Sequence, residues 1–160
     1  MEYTYVEANY IVTDSDDLDE TLKGVELTGS LELPLNFFGQ VTYTRQSNDA
    51  DVEVWKLGAG YHLPIGSRLD AYGILSYVHA EVSDGIDDSE DGAAAELGVR
   101  FMLLQNVELN GAAKWIDLNE DDYGIAVGAR WYLIDRLSFG GRLETIDSDT
   151  TVALGARFEL

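Results

Sequence analysis

The sequence predicts an all-β fold, a ten-stranded antiparallel up-and-down transmembrane β-barrel formed by residues 1–160 as a single domain. Three observations predict this fold. Apolar and polar side chains alternate with period two in ten segments of about ten residues, as in strands that have one apolar face. Short turns and acidic segments alternate between these strands, and aromatic residues concentrate at both ends of the apolar faces.

The last segment shows the alternation most clearly. Residues 151–160 read TVALGARFEL, in which Val152, Leu154, Ala156, Phe158 and Leu160 share one face. The same alternation predicts the first nine strands at residues 3–12, 23–33, 37–46, 52–63, 68–80, 94–103, 107–116, 123–133 and 136–145. Because the number of strands is even, both chain ends lie on the same side of the barrel.

The connections between the strands are of two kinds. Short turns follow the even-numbered strands, and two of them contain proline, which favours turns. Acidic segments follow the odd-numbered strands at residues 13–20, 47–53, 81–92, 117–122 and 147–149, and they hold twenty of the thirty acidic residues and no base. This asymmetry is typical of outer-membrane barrels, with short periplasmic turns and acidic extracellular loops. The sequence predicts no nucleic-acid partner, because the acidic end would repel phosphate.

Alternation alone does not decide whether the apolar face meets lipid or a soluble core. The soluble alternative is a fatty-acid-binding or lipocalin-like barrel. The aromatic residues favour the membrane, because two aromatic girdles around an aliphatic band are what the two membrane interfaces select. The predicted girdle at the acidic end contains Tyr10, Tyr43, Trp55, Tyr77, Trp115 and Tyr123, and the girdle at the opposite end contains Phe37, Tyr61, Phe101, Trp131 and Phe158.

The chain resembles the small outer-membrane β-barrel proteins of Gram-negative bacteria, the porin-like superfamily. The resemblance rests on YVEANY in the first strand, LGAGYHLP in the fourth, VGARWYL in the eighth and an aromatic residue near the end of the last. It implies a location in the bacterial outer membrane and insertion by the outer-membrane assembly machinery. It also implies that Phe158, with Leu160 as the last residue, forms the assembly signal.

The polar face of the strands carries charges that would line the lumen. A narrow lumen filled by paired charges is favoured, because barrels of about eight strands are filled by side chains, and a narrow pore is the alternative. Inward aromatic residues near the turns, Tyr3, Tyr5, Phe38, Tyr72 and Tyr132, would plug that end. The predicted charges comprise an upper layer of Glu26, Lys56, Glu96, Lys114 and Arg142, a lower layer of Glu7, Asp70, Arg100, Arg130 and Arg157, and Glu144.

The sequence predicts neither an enzyme nor a cofactor. Of the two histidines, only His79 has a candidate catalytic partner at the outer rim, Asp84. Acids are so common at that rim that an acid near His79 does not indicate a catalytic pair. The acidic segments 13–20 and 81–92 contain many oxygen ligands but not the spacing of a calcium loop, so no defined metal site is predicted. Their charge would instead allow contact with lipid and lipopolysaccharide through bridging divalent cations.

Two functional hypotheses remain from the sequence. The first is a non-enzymatic outer-membrane scaffold that presents acidic loops for surface contact or envelope integrity. The second is a narrow pore for ions or small polar solutes, lined by the interleaved charges. A designed barrel without a native task is also compatible with so regular a pattern.

Overall fold

The computed structural model describes residues 1–15, 20–47, 51–83, 87–118 and 121–160. The strands are β1 (Tyr5–Ser15), β2 (Glu20–Glu32), β3 (Phe37–Ser47), β4 (Asp51–Pro64), β5 (Leu69–Ser83), β6 (Asp87–Leu104), β7 (Val107–Asp117), β8 (Asp121–Ile134), β9 (Leu137–Ile146) and β10 (Asp149–Glu159). A short 3-10 helix, Pro34–Asn36, joins β2 to β3. No helix in the described ranges is long and apolar enough to cross a membrane.

Each strand pairs antiparallel with its neighbours in the sequence, and β1 pairs with β10 to close the barrel. Among the described residues the ladder is regular, with register shifts only between Met102 and Leu104 and between Tyr132 and Ile134. Both shifts lie beside the short turns that follow β6 and β8. The predicted ten-stranded up-and-down barrel is therefore confirmed. We call the end that carries both chain termini and the turns after even-numbered strands the turn end, and the opposite end the acidic end.

The acidic segments differ from the prediction. The sequence predicts loops at these segments, but β5 continues to Ser83 and β6 begins at Asp87, so most of the segment 81–92 is strand. The other acidic segments likewise contribute to strand ends, and β9 and β10 are joined by a two-residue turn, 147–148. Ladder hydrogen bonds join backbone groups, so charged side chains can extend a hairpin wherever both faces are hydrated. The acidic end is therefore a rim of extended hairpins.

The barrel is more polar inside than outside. The buried residues include the charged side chains of Asp70, Arg100, Glu108, Arg130 and Glu159, whereas many outward Leu, Val and Ile side chains are about half exposed. Between the two girdles of the described chain, no outward position carries a charged residue. This is the reverse of a soluble barrel, whose apolar residues point inward. The face assignment made from the sequence is the one that the structure has.

Candidate functional site

The candidate site is the lumen, where one carboxylate near the turn end joins two guanidinium groups. Glu7 of β1 lies 2.6 Å from Arg157 of β10 and 2.9 Å from Arg130 of β8. The Asn9 amide donates a hydrogen bond of 3.0 Å to Glu7 and another of 3.0 Å to Glu26, which links this layer to the next. Because β8 and β1 are not neighbours in the sheet, the contact with Arg130 spans the lumen.

A second cluster of buried polar side chains lies at the turn end, on the wall opposite Glu7. Arg100 donates hydrogen bonds of 3.0 and 2.8 Å to the two carboxylate oxygens of Glu108, and a third of 3.0 Å to the Glu2 carbonyl. The Tyr132 hydroxyl lies 3.1 Å from Glu108 and 2.9 Å from Glu159. Burying a charged carboxylate is costly unless it is paired and hydrogen-bonded. The bidentate contact with Arg100 gives Glu108 both.

The upper lumen holds a further charge network. Arg142 of β9 contacts both carboxylate oxygens of Glu26 on β2, at 3.0 and 3.1 Å, across two intervening strands. Lys114 lies 2.6 Å from Glu144 and 3.4 Å from Glu96. Arg142 also lies 3.3 Å from Glu144. These contacts fix the upper part of β7, β9 and β2 to one another through the lumen.

The turn end of the lumen is closed by an aromatic plug. The Tyr3 ring stacks on His62 with centroids 4.1 Å apart and lies 4.7 Å from the Phe38 ring. The Arg100 guanidinium lies 4.9 Å from the Tyr3 centroid. The chain before β1 is fixed in place because the Thr4 carbonyl accepts a 3.0 Å hydrogen bond from the Leu160 amide. Tyr3, Phe38 and His62 are all buried, so little space remains at this level.

The remaining lumen is a cavity of about 170 Å³ above the plug. The ion pairs Arg130–Glu7 and Arg142–Glu26 join β8 and β9 with β1 and β2, whereas the wall formed by β4–β6 carries small residues such as Gly58, Ser76 and Ala94. Lys56 lines the cavity from this wall. No hydrogen bond or ion pair of Lys56 occurs within the described part of the chain.

The outward aromatic residues are connected to the acidic rim. Trp115 Nε1 donates a 2.9 Å hydrogen bond to Asp121, and the Tyr77 hydroxyl donates one to Asp91. Neighbouring girdle rings also pack together, with centroids 4.5 Å apart for Tyr43 and Trp55. An aromatic body beside apolar side chains with its polar atom directed to charged groups is the arrangement that membrane interfaces favour.

His79 lies beyond the acidic-end girdle and forms a small exposed cluster. Its Nδ1 lies 2.6 Å from Asp91, and its Nε2 lies 3.1 Å from Glu81. Hydrogen bonds first to Asp91 and then to Glu81 raise the pKa of the imidazole above its ordinary value. Hydrogen bonds from Tyr77 and from His79 lower the pKa of the Asp91 carboxyl. The sequence-based partner Asp84 lies outside the described residues.

The structure brings together some of the predicted lumen charges and separates others. Glu7, Arg130 and Arg157 form one cluster, whereas Asp70 lies 3.4 Å from His62 and not in that cluster. Lys56 lies on the upper level, apart from any ion pair of the described chain. The upper and lower layers of charges were predicted by counting residues from the turns. That count leaves out the stagger between neighbouring strands, which tilt in a barrel.

The contribution of some neutral residues was missed from the sequence. Asn9 links two carboxylates, and the Tyr72 hydroxyl donates a 2.6 Å hydrogen bond to Glu96. The signal for Asn9 is its inward position two residues after Glu7 on one strand. Its link to Glu26 follows only from the register, in which Asn9 and Glu26 are directly opposite.

Comparison with known proteins gives structural matches only. No protein-family model matches the sequence, and no curated protein matches it. The KdgM porin superposes with a TM-score of 0.61 at 9% sequence identity, covering 98% of this chain and 99% of the porin. The NanC porin superposes with a TM-score of 0.64 at 7% identity, covering 97% of this chain and all of the porin.

A third match is Ail, the attachment invasion locus protein of Yersinia pestis. Its TM-score is 0.50 at 17% identity, covering 96% of this chain and 95% of Ail. The chain has the outer-membrane β-barrel fold. At these identities the shared property is the fold alone. The KdgM porin has also been solved in complex with disordered oligogalacturonate.

Proposed function

We propose that this barrel is an integral protein of the bacterial outer membrane and a non-enzymatic scaffold with a largely filled lumen. The observation that carries the proposal is the combination of cross-lumen ion pairs with the aromatic plug of Tyr3, Phe38 and His62. Barrels of about eight strands are filled by their own side chains, and ten strands lie near that size. The filled interior supports a rigid body whose acidic end is available for contact outside the membrane.

The test is single-channel conductance in planar bilayers, on protein shown to be folded by heat-modifiable gel migration. We expect no discrete current steps from the wild-type barrel, because ions would have to cross both the plug and the ion pairs. The double variant Y3A/F38A removes the two plug rings and is expected to give brief openings. Phe37 points outward beside Phe38, so F37A is the matched control and should stay silent. Reproducible steps from the wild-type protein would contradict the filled lumen.

The second candidate function is a narrow pore for ions or small polar solutes. The favourable observation is the cavity against the β4–β6 wall, where Gly58, Ser76 and Ala94 leave space. Its lining includes Lys56, Lys114 and Arg142, so replacing these bases should shift any observed current toward cations. Current steps whose ion selectivity changes in these variants would favour the pore over the scaffold.

The acidic rim supports contact with lipopolysaccharide through bridging divalent cations. Outward positions beyond the girdle include Asp14, Glu81, Asp91, Asp117 and Asp121, which are exposed. Acidic side chains and lipopolysaccharide phosphates repel one another unless Ca²⁺ or Mg²⁺ lies between them. Chelation is therefore expected to release lipopolysaccharide from the purified barrel. Unchanged association after chelation would contradict the bridging proposal.

The last strand supports recognition by the outer-membrane assembly machinery. Phe158 on β10 and Leu160 directly after it are exposed, and β10 pairs with β1 to close the barrel. We expect F158A to slow insertion catalysed by that machinery while unassisted folding into lipid vesicles keeps its rate. Equal slowing of both reactions would show that Phe158 acts through barrel stability and not through recognition.

A further inference from the structure

One base in the lumen has no partner in the described part of the chain. Six bases line the cavity, and five of them are held by carboxylates: Arg100, Lys114, Arg130, Arg142 and Arg157. Lys56 is the sixth. An ammonium group that is removed from bulk water without a hydrogen-bonded acceptor is costly, so the position favours an added acceptor such as an anion.

The carboxylates near Lys56 already have donors of their own. Glu26, Glu96 and Glu144 act on Lys56 electrostatically, as does the like charge of Lys114. Glu26 accepts hydrogen bonds from Arg142 and Asn9, Glu96 accepts one from Tyr72, and Glu144 accepts one from Lys114. Each of these three carboxylates thus accepts its hydrogen bonds from another donor, and within the described part of the chain none accepts one from Lys56.

The wall beside Lys56 offers neutral hydrogen-bond donors. Lys56 is directly opposite Thr42 on β3, and the next inward position of β4, Gly58, is opposite Ser76 on β5. The Ser76 hydroxyl has no hydrogen-bond partner among the described residues, and it lines the cavity. A methyl group on Gly58 would come within 2.5 Å of the Ser76 oxygen, so the absence of a side chain keeps this hydroxyl accessible.

The cavity volume limits the occupant. About 170 Å³ is close to the roughly 150 Å³ of an engineered cavity that holds benzene, so a ligand of a few heavy atoms fits. A ligand with one negative charge would give the Lys56 ammonium an ion-pair partner. Oxygen atoms on that ligand would accept hydrogen bonds from the ammonium and hydroxyl groups.

We propose that the cavity above the plug binds one small monovalent anion, with a short-chain carboxylate as the preferred class. Lys56 supplies the charge partner, and the Ser76 hydroxyl donates a hydrogen bond. This inference goes beyond the scaffold proposed above, and it does not depend on conduction, since a site closed at the turn end can still bind from the acidic end. Conductance and anion binding can therefore fail separately.

The test is a titration of the folded, isotope-labelled barrel with sodium acetate, followed by backbone amide NMR. Saturable shifts are expected at the amides of Lys56, Ser76 and Thr42. K56M should weaken acetate binding by roughly tenfold or more, because it removes a charged hydrogen-bond donor. S76A should weaken binding a few-fold, as expected for a neutral donor. The matched control is K23M, which removes an equal charge from an exposed outward position.

The outcomes separate the possibilities. Saturable shifts retained in K23M and lost in K56M would support the site. A parallel series with sodium chloride distinguishes a carboxylate from charge alone: equal chloride binding would support a monovalent anion site and remove the carboxylate preference. Absence of saturable shifts in the wild-type barrel, or equal affinity in folded K56M, would overturn the proposal. If K56M does not fold, as judged by gel migration, unchanged affinity in S76A together with unshifted Lys56 signals would overturn it.

Discussion

At the scale of the residue, pairing determines whether a buried charge stabilises the lumen. Glu7 is shared by Arg130 and Arg157, so one carboxylate compensates two guanidinium groups. Replacing a whole buried pair by apolar groups is often tolerated, whereas removing one partner leaves an uncompensated buried charge. The lumen charges are therefore expected to be far more sensitive to single substitutions than the rim charges.

The substitution E7Q tests this expectation. It should lower the free energy of unfolding by about 3 kcal/mol, because two buried guanidinium groups lose their only close carboxylate among the described residues. The measurement is urea unfolding in lipid vesicles. The matched control is E53Q, because Glu53 lies 3.6 Å from the exposed Arg45 at the rim and should change stability by less than about 1 kcal/mol. Equal effects of the two variants would contradict the stabilising role of the buried cluster.

The His79 cluster gives a pH prediction. Hydrogen bonds to Asp91 and Glu81 raise the pKa of His79, so the folded barrel binds this proton more tightly than the unfolded chain does. The stabilisation is fully present below the unfolded pKa of about 6.5 and is lost as the pH rises through the folded pKa. NMR titration of the imidazole should show the raised value. D91N should lower it toward the ordinary value, and an unchanged midpoint in D91N would remove Asp91 as the main cause.

At the scale of the element, the strands were largely predictable because side-chain alternation is a direct consequence of strand geometry. The apolar sides of β8 and β10, for example, follow from their period-two patterns alone. The start of β6 at Asp87 was not predictable, since charged residues at a strand end leave no alternation to recognise. Arg142 and Glu26 were predicted to share the upper layer, but their direct ion pair was not predictable, because the choice of partner depends on strand tilt and stagger.

Small residues in the strands make room for the aromatic plug. A methyl group added to Gly60 would overlap the ring of Phe38, which is fully buried. Similarly, a methyl group on Gly98 would overlap the Tyr72 ring. Gly60 on β4 therefore leaves space for the plug ring of Phe38 on β3. In the same way, Gly98 on β6 leaves space for the Tyr72 ring on β5.

The substitution G60A should lower the free energy of unfolding by about 1–3 kcal/mol, because it overpacks the plug. Gly39, which follows Phe38 on the outward face, is the control, since a methyl group there would meet nothing within 4 Å. We expect G39A to leave the urea midpoint almost unchanged. A G60A barrel as stable as G39A would mean that the plug ring is free to shift, which contradicts a tightly closed turn end.

At the scale of the whole molecule, the polarity of each surface indicates which medium that surface faces. Charges fill the lumen, apolar side chains cover the outward surface between the girdles, and acids concentrate at one rim. The aliphatic band and its two girdles were predictable from the sequence because they follow from strand alternation and residue type. The plug geometry and the unpaired Lys56 required the closed barrel, since their neighbours come from distant strands.

The central claim is that the outward face of the barrel lies in lipid, and strand β8 allows the most direct measurement. Tyr123, Val127 and Trp131 all point outward on β8, four residues apart, or about 13 Å along the strand per step. Single-tryptophan barrels are made with Y123W, with V127W and with native Trp131, the other tryptophans being replaced by phenylalanine. Their fluorescence is then quenched by lipids brominated at different depths.

We expect deep bromines to quench the single tryptophan of the V127W barrel most strongly. Shallow bromines should quench the two girdle positions most strongly, because these lie near the two membrane interfaces. Quenching without depth dependence along β8, or no quenching in a barrel whose folding is verified by gel migration, would contradict the claim that this face lies in the membrane.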